Sequence, residues 1–562
     1  MSEKDYSKTW YKEMVGYQIW PRSFYDGNGD GIGDIKGIIS KLDYIKSLGV
    51  TAIWFSPLFK SPQKDYGYDI ADYKDIAPEY GTLEEFKELL DIAHSKGLKV
   101  IMDLVVNHTS DQHEWFLESK KSKDNPYRDY YFWRPGKKGG KKPPNNWLSS
   151  FPGPGWEYDE KTGEYYLHVF AVEQPDLNHD NPKVREEIKD VMRFWLDMGV
   201  DGFREDVITY ISKKDGLPNG FPIPAARGVE HYNNGPRIHE YLSEYKNDVL
   251  SNYDCVTIGE APMMTPKIAL KYITEGPDQE LNMMFHFQHM EADCFMIDWI
   301  RRPFNLRKLK RVFSRWQEAL YGKAWNALYL ENHDHARIIS RYGNEKYRVE
   351  SGKMLATTYL CQGGTPFIYQ GQEIGMTSIG LPELEMYPDI ATQNAYKLFR
   401  KLGFKHETVM RIAKVAARDN GRTPVQWTAE KNAGFTTADK PWFYINDNYK
   451  EVNVEAAEKD PDSLLHFYRH LLKLRRENPL IIYGDYKEHY KRSKKLYVYE
   501  RNHEGKRLLV INSFVEEGVK FKVPAGFDLG QGKLVANNYE VKDPGANSFT
   551  TKPYETRVYL FD

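Results

Sequence analysis

The sequence predicts an α/β fold: a (β/α)8 barrel of the TIM type, with a subdomain inserted after the third strand and a second insertion after the eighth. A C-terminal antiparallel β-sandwich follows. Three observations carry this. "LDYIKSLGVTAIWFSP", "LLDIAHSKGLKVIMDLVVN" and "MRFWLDMGVDGFREDV" each run from an amphipathic helix through a glycine to an apolar strand, the grammar of strand–helix units on a parallel sheet. Candidate strands fall at 17–24, 51–57, 100–107, 202–207, 256–260, 282–287, 326–334 and 365–371, the number that closes a barrel. From about residue 485 the texture changes to alternation around turns, as sandwich strands require.

In chain order, Gly49, Gly97 and Gly199 stand where a helix ends in a left-handed residue before its strand. Between the third and fourth strands, residues 109–179 are rich in Gly, Pro and aromatics and read as an irregular inserted domain. The barrel is therefore assigned to 1–108 and 180–480, including an insertion at about 375–460, and the sandwich to 481–562. In "KKLYVYERNHEGKRLLVINSF" the turn is expected at Asn502 to Gly505.

Composition excludes several classes. The 562-residue chain has a net charge of −2, which gives no electrostatic footprint for nucleic acid or an anionic membrane. No stretch of about 18 apolar residues occurs, and "MSEKDYSKTWYKE" lacks a signal-peptide core. A cytoplasmic protein is expected, acting as a monomer on a small substrate. Cys255, Cys294 and Cys361 are too scattered for a disulfide framework or a zinc site and read as buried, inert thiols.

The chemistry is announced by "DGFREDVITYIS", residues 201–212, which sets Arg204, Glu205 and Asp206 inside an otherwise apolar strand. Parallel strands are covered on both faces, and buried charge is costly unless it is paired or used. Alternation along a strand puts Arg204 and Asp206 on one face and Glu205 on the other, so Glu205 faces the helical layer and needs a partner or water there. Other strand ends are also polar: Asn107 and His108, Glu260, and His333 with Asp334. Such tips line the active end of a barrel. Two carboxylates and an arginine in an aromatic cleft suit acetal hydrolysis, one acid protonating the leaving oxygen and one carboxylate attacking the sugar carbon. For any one tip alone, the bland alternative is a structural ion-pair network at the rim.

These residues lie in an ordered series of motifs: "GVTAIWFSP", "YGYDIADY", "DLVVNHTS", "QPDLN", "GFREDVI", "GEAPMMT", "ENHDHAR", "TPFIYQGQEIGM" and "RDNGRTPVQW". Through them nearly the whole chain resembles the α-amylase family of glycoside hydrolases, particularly its oligo-1,6-glucosidase and α-glucosidase subgroup. The resemblance implies a retaining, exo-acting α-glucosidase with Asp206 as nucleophile, Glu260 as general acid and base, and Asp334 as the transition-state-stabilising carboxylate. It further implies that Arg204 orients Asp206, that Asp69 and Arg422 grip the far hydroxyls of the terminal glucose, that His108 and His333 bind its middle hydroxyls, and that Tyr68 and Phe170 form an apolar wall. Val207, directly after the nucleophile, implies a lean toward α-1,6 linkages. No cofactor is needed for catalysis.

"DGNGDGIGD" places Asp26, Asn28, Asp30 and Asp34 as oxygen donors, with Ile32 offering its carbonyl. The twelfth position is Gly37 and not a glutamate, so an EF-hand is disfavoured. A structural Ca2+ or Mg2+ loop, as the resemblance implies, stands beside the alternative of a simple Gly/Asp turn. The chain also departs from the family pattern. Glu205 replaces an apolar residue, His335-Ala336 replaces the usual Gln-Pro, and Met263 and Met264 follow the acid, either lining a tolerant subsite or filling core. Rival readings are an α-glucosidase acting on sucrose or maltose with transglucosylation, a sucrose isomerase, which "QHMEADCFMIDW" argues against for lack of arginine, and a trehalose-6-phosphate hydrolase. A catalytically dead transporter subunit is disfavoured because the carboxylates are present.

Overall fold

The computed structural model describes residues 9–223, 226–295 and 297–562. The first eight residues, part of the segment expected to lack a signal-peptide core, lie outside them, as does Met296 in "QHMEADCFMIDW". Among the described residues no helix is long and apolar enough to cross a membrane.

All eight expected barrel strands form: Gly16–Ile19, Ala52–Phe55, Lys99–Leu104, Gly202–Glu205, Val256–Ala261, Met283–His286, Ala327–Leu328 and Thr365–Tyr369. They pair in parallel, in order around the barrel. The seventh is far shorter than 326–334. Beyond it the chain turns, with Asp334 N–H donating to Asn332 Oδ1 at 2.9 Å, so His333 and Asp334 are presented from a loop. Gly49, Gly97 and Gly199 have φ of +93°, +67° and +111°. The last ends helix Pro182–Met198, which starts with Asn181 capping Lys183 N–H and proline in its first turn.

The segment after the third strand is more regular than expected. Strands Trp133–Pro135, Trp156–Asp159 and Glu164–Leu167 form an antiparallel sheet, because their aromatic residues supply a core of their own. That core, with Phe132, Trp147, Trp156 and Leu167, continues onto Val207 and Tyr210 of the barrel. A buried ion pair reinforces the junction: Lys213 Nζ lies 2.7 Å from Asp176 and donates to Asn107 Oδ1 at 2.8 Å. After the eighth strand, helices Ile390–Lys401 and His406–Ala416 form a hairpin.

At the C-terminus, Lys487–His489, Leu496–His503, Lys506–Ser513, Thr556–Phe561 and Lys533–Asn537 make an antiparallel sheet, faced by the pair Lys520–Lys522 and Ser548–Thr550. Alternation divides its faces. Val498, Leu509 and Ile511 pack toward Phe521, and Tyr497, Tyr499, Leu508 and Val510 join the barrel core. The turn is tighter than expected: His503 pairs with Lys506, leaving Glu504 and Gly505 as a two-residue loop at φ +49° and +83°, the left-handed pair of a type I′ turn.

Of the thiols only Cys361 is buried. Cys255 and Cys294 are half-buried, correcting the expectation for both.

Candidate active site

The carboxyl ends of the strands surround a cavity of about 580 Å³. Asp206, Glu260 and Asp334 all line it. The register explains how: Arg204 is level with Asp103 on one neighbouring strand and Ile258 on the other, which sets the acidic residues of adjacent strands around one guanidinium. Arg204 Nη1 lies 2.7 Å from Asp206 Oδ1 and 2.7 Å from Asp103 Oδ1, and Nη2 lies 2.7 Å from Glu260 Oε1. Arg204 itself is 1 % exposed and stands behind the cavity wall. Charged hydrogen bonds of this kind are strong and directional, so the Asp206 and Glu260 carboxyl groups are held in fixed relation to each other.

Burial, foremost, and then the neighbouring acids push Asp206 well above the ordinary carboxylate range, with Arg204 opposing them. Burial also raises Asp103 to about 6, again against Arg204. Three carboxyl groups around one guanidinium cannot all ionise cheaply, so the cluster keeps a proton near neutrality. Asp334 differs. His333, Arg418 and Arg422 outweigh its burial and drive its pKa far down, keeping it anionic.

Backbone geometry adds to this. Val207 occupies the left-handed region at φ +34°, uncommon and strained for a β-branched residue. Its N–H donates to Glu260 Oε2 at 3.0 Å, and its side chain lines the cavity.

His333 stacks between Trp20 and Tyr68, with ring centroids 5.0 and 5.3 Å away. One ring nitrogen meets Gln18 Nε2 at 2.7 Å and the other the Tyr68 hydroxyl at 2.8 Å. His108 Nε2 faces Tyr68 O at 3.1 Å, and burial lowers its pKa to about 4, so it is neutral at physiological pH. Tyr68, Phe170, His108 and His333 all line the cavity.

Asp69 and Arg422 do not line the cavity, which corrects their expected contact with substrate. The Asp69 oxygens accept from the backbone N–H groups of Lys64 and Asp65, both at 2.9 Å. Arg422 is 1 % exposed and donates to His333 O at 2.8 Å. Their places on the wall belong to Asp65 and Arg418. Arg418 contacts Asp65 at 2.9 Å, Asp334 at 3.1 Å and Asp389 at 2.5 Å. "DYGYD" and "RDNGR" each offer two chemically equal candidates a turn apart, and only the chain path distinguishes them. Asp103 was missed too, although its signal was the one that exposed Arg204: charge inside an apolar strand.

Glu205 turns away from the cavity as expected, but without the expected compensation. It is 1 % exposed, its Oε2 has no hydrogen-bond partner, and burial raises its pKa to about 8. His335 and Met263 line the cavity, whereas Met264 is core.

In the 26–34 loop the donors turn onto their own backbone. Asp26 accepts from Asn28, Gly29 and Gly31 N–H, and Asp34 from Gly27, Asn28 and Gly37 N–H. Asp30 and Asn28 bond each other, and Ile32 N–H reaches Asp30 Oδ1 at 2.8 Å. Among the described residues no group of His, Cys, Asp or Glu is arranged to hold a metal ion. The all-oxygen chemistry suits a hard cation, and the same carboxylates that accept these backbone N–H bonds keep further lone pairs for a ligand.

The alpha-amylase catalytic-domain model matches residues 18–484. The chain belongs to the alpha-amylase family. Among its family relatives, the oligo-1,6-glucosidase of Parageobacillus thermoglucosidasius is 52% identical over 98% of this chain and 99% of its own, and that of Halalkalibacterium halodurans is 51% identical over 99% of each. Among solved structures, isomaltulose synthase from Klebsiella sp. LX3 superposes with a TM-score of 0.95 at 41% identity, covering 98% of this chain and 99% of its own. Bacillus licheniformis trehalose-6-phosphate hydrolase gives 0.92 at 45% identity, with the same coverage.

Proposed function

We propose that the protein is a retaining, exo-acting α-glucosidase that releases glucose from the non-reducing end of short α-glucosides and leans toward α-1,6 linkages. The observation that carries this is Arg204 holding Asp206 and Glu260 on neighbouring nitrogens. Double displacement needs such a close pair, at about 5–5.5 Å, whereas inversion needs room for a water between the groups. In this mechanism Glu260 serves as the acid that delivers a proton to the glycosidic oxygen as Asp206 attacks C1. The C1–O bond to the leaving alcohol breaks and a glucosyl ester on Asp206 forms. Water, deprotonated by Glu260, then opens the ester. Asp334 stays anionic beside the developing oxocarbenium ion, and the Asp65–Arg418 pair at the glucose end favours a closed pocket and hence exo action.

The relatives named oligo-1,6-glucosidase and the presence of Val207 support the linkage. A monomeric, cytoplasmic enzyme is the accompanying proposal. A Ca2+ or Mg2+ bound by Asp26, Asn28, Asp30, Ile32 and Asp34 would be structural, with no step of the reaction passing through it.

The test is a set of initial rates on isomaltose, maltose, sucrose, trehalose and trehalose 6-phosphate, with Asp206→Asn as blank. Isomaltose should be turned over fastest, and the blank should lose at least about 10³-fold. A blank with full activity removes the nucleophile assignment. Isomaltulose formed from sucrose would favour isomerisation.

A further inference from the structure

A second concavity, of about 640 Å³, lies outside the catalytic cavity between helix Leu306–Leu320 and the segment after strand Lys487–His489. Arg307, Arg311 and Arg315 recur every four residues and so share one face of the helix. Lys491 and Arg492 face them, and all five side chains are exposed. Among the described residues none of the five makes an ion pair, although Arg315 donates to Gln288 Oε1. Of the two acidic side chains in the lining, Glu488 is buried and committed to Ser314 at 2.6 Å and to Lys310 at 3.2 Å. Glu318 is exposed at the edge. The net charge of the whole chain is only −2, so this local excess of cations stands apart from the overall balance. Like charges four residues apart on a helix repel, and among the described residues no carboxylate pairs with any of the five cations.

We propose that this groove binds a small ligand carrying two or more phosphoryl groups. Guanidinium forks match phosphate oxygens bidentately, and the groove presents them on one wall with Lys491 and Arg492 on the other. From Arg307 to Arg315 the helix rises about 12 Å, so the three guanidinium groups stand close enough to engage one small ligand with several phosphoryl groups together. A bound ligand would tie the barrel helix to the C-terminal sheet. The same helix carries Lys308, which lines the catalytic cavity, so occupancy is positioned to act on the enzyme as well as on its stability.

Thermal unfolding of the full chain in pyrophosphate tests this, at constant ionic strength and with EDTA in every sample so that chelation is constant. Tripolyphosphate, glucose 6-phosphate and sulfate form the other arms. Pyrophosphate and tripolyphosphate should raise Tm saturably, with half-saturation at least fivefold below that of glucose 6-phosphate or sulfate. Arg311→Ser/Arg492→Ser should weaken this at least tenfold while leaving isomaltose hydrolysis without added phosphate unchanged. Calorimetric titration provides a readout independent of unfolding. Equal responses to sulfate, equal binding of glucose 6-phosphate, or an unaltered double variant would each overturn the proposal. Because binding is read without turnover, this result and the glucosidase assay fail or succeed separately.

Discussion

Asp65 and Arg418 meet at 2.9 Å on the wall of the catalytic cavity, and Arg418 extends from there to Asp334 at 3.1 Å. The pair is chemically matched to the hydroxyls of a terminal glucose, and it stands where the alternatives Asp69 and Arg422 do not reach. Asp65→Ala and Arg418→Ala should therefore lower kcat/KM by roughly 10²–10³-fold, the loss of one or two charged hydrogen bonds. Asp69→Asn should mainly lower Tm. Steady-state kinetics beside thermal unfolding separates the two sets, and an Asp69→Asn enzyme that folds normally but binds sugar poorly would reverse the assignment.

Val207 performs two tasks, its side chain shaping the cavity and its N–H holding Glu260. Val207→Ala or Val207→Thr should raise maltose turnover relative to isomaltose by up to about tenfold, since one methyl group discriminates by only about 1–3 kcal/mol. An unchanged ratio in either variant counts against a role in linkage preference.

Glu205 makes a stability prediction with a definite sign. Its folded-state pKa, about 8, lies above the ordinary carboxyl value, so the folded chain holds a proton that the unfolded chain releases. Stability is then lost progressively as pH rises from the ordinary carboxyl range to about 8, and levels off above that. Glu205→Met should stabilise the protein by on the order of 2 kcal/mol near pH 8 and by much less near pH 4. Denaturant unfolding at both pH values measures the difference, and equal effects at the two would show that ionisation is not the cause.

For the 26–34 loop, added Ca2+ should raise Tm saturably in chelator-treated protein while kcat stays constant once the fold is intact. Asp30→Ala should blunt the rise. If chelated and Ca2+-supplemented samples unfold at one temperature, the loop is a turn held by its own amides.

Much of the fold was legible because its signals are local. Helix periodicity, glycine stops and apolar strands each sit within a dozen residues, and Gly199 shows how one residue marks a boundary. The charged cluster at the cavity was legible for a related reason: Arg204 and Asp206 violate the apolar rule of a buried strand. What escaped depends on the path of the chain between elements. Nothing in "DYGYD" says whether Asp65 or Asp69 faces the sugar, because a turn follows no fixed alternation. Burial without a partner, as at Glu205, is likewise invisible until the helices covering it are in place. Strands inside 109–179 were missed because their aromatics pack against Val207 and Tyr210, which lie far along the chain.

The barrel does not close evenly. Among the described residues, Met283–His286 and Ala327–Leu328 form the two ends of the strand order with no ladder between them. Tyr329 bridges the gap with side-chain contacts, its hydroxyl donating to His286 O at 3.1 Å and its ring 5.3 Å from Phe285. A seam stitched by side chains lacks the repeated amide pairing that makes neighbouring strands rise and fall together. Heat or denaturant should part the wall there first, so the cavity would open along one side while the laddered strands opposite still hold their shape.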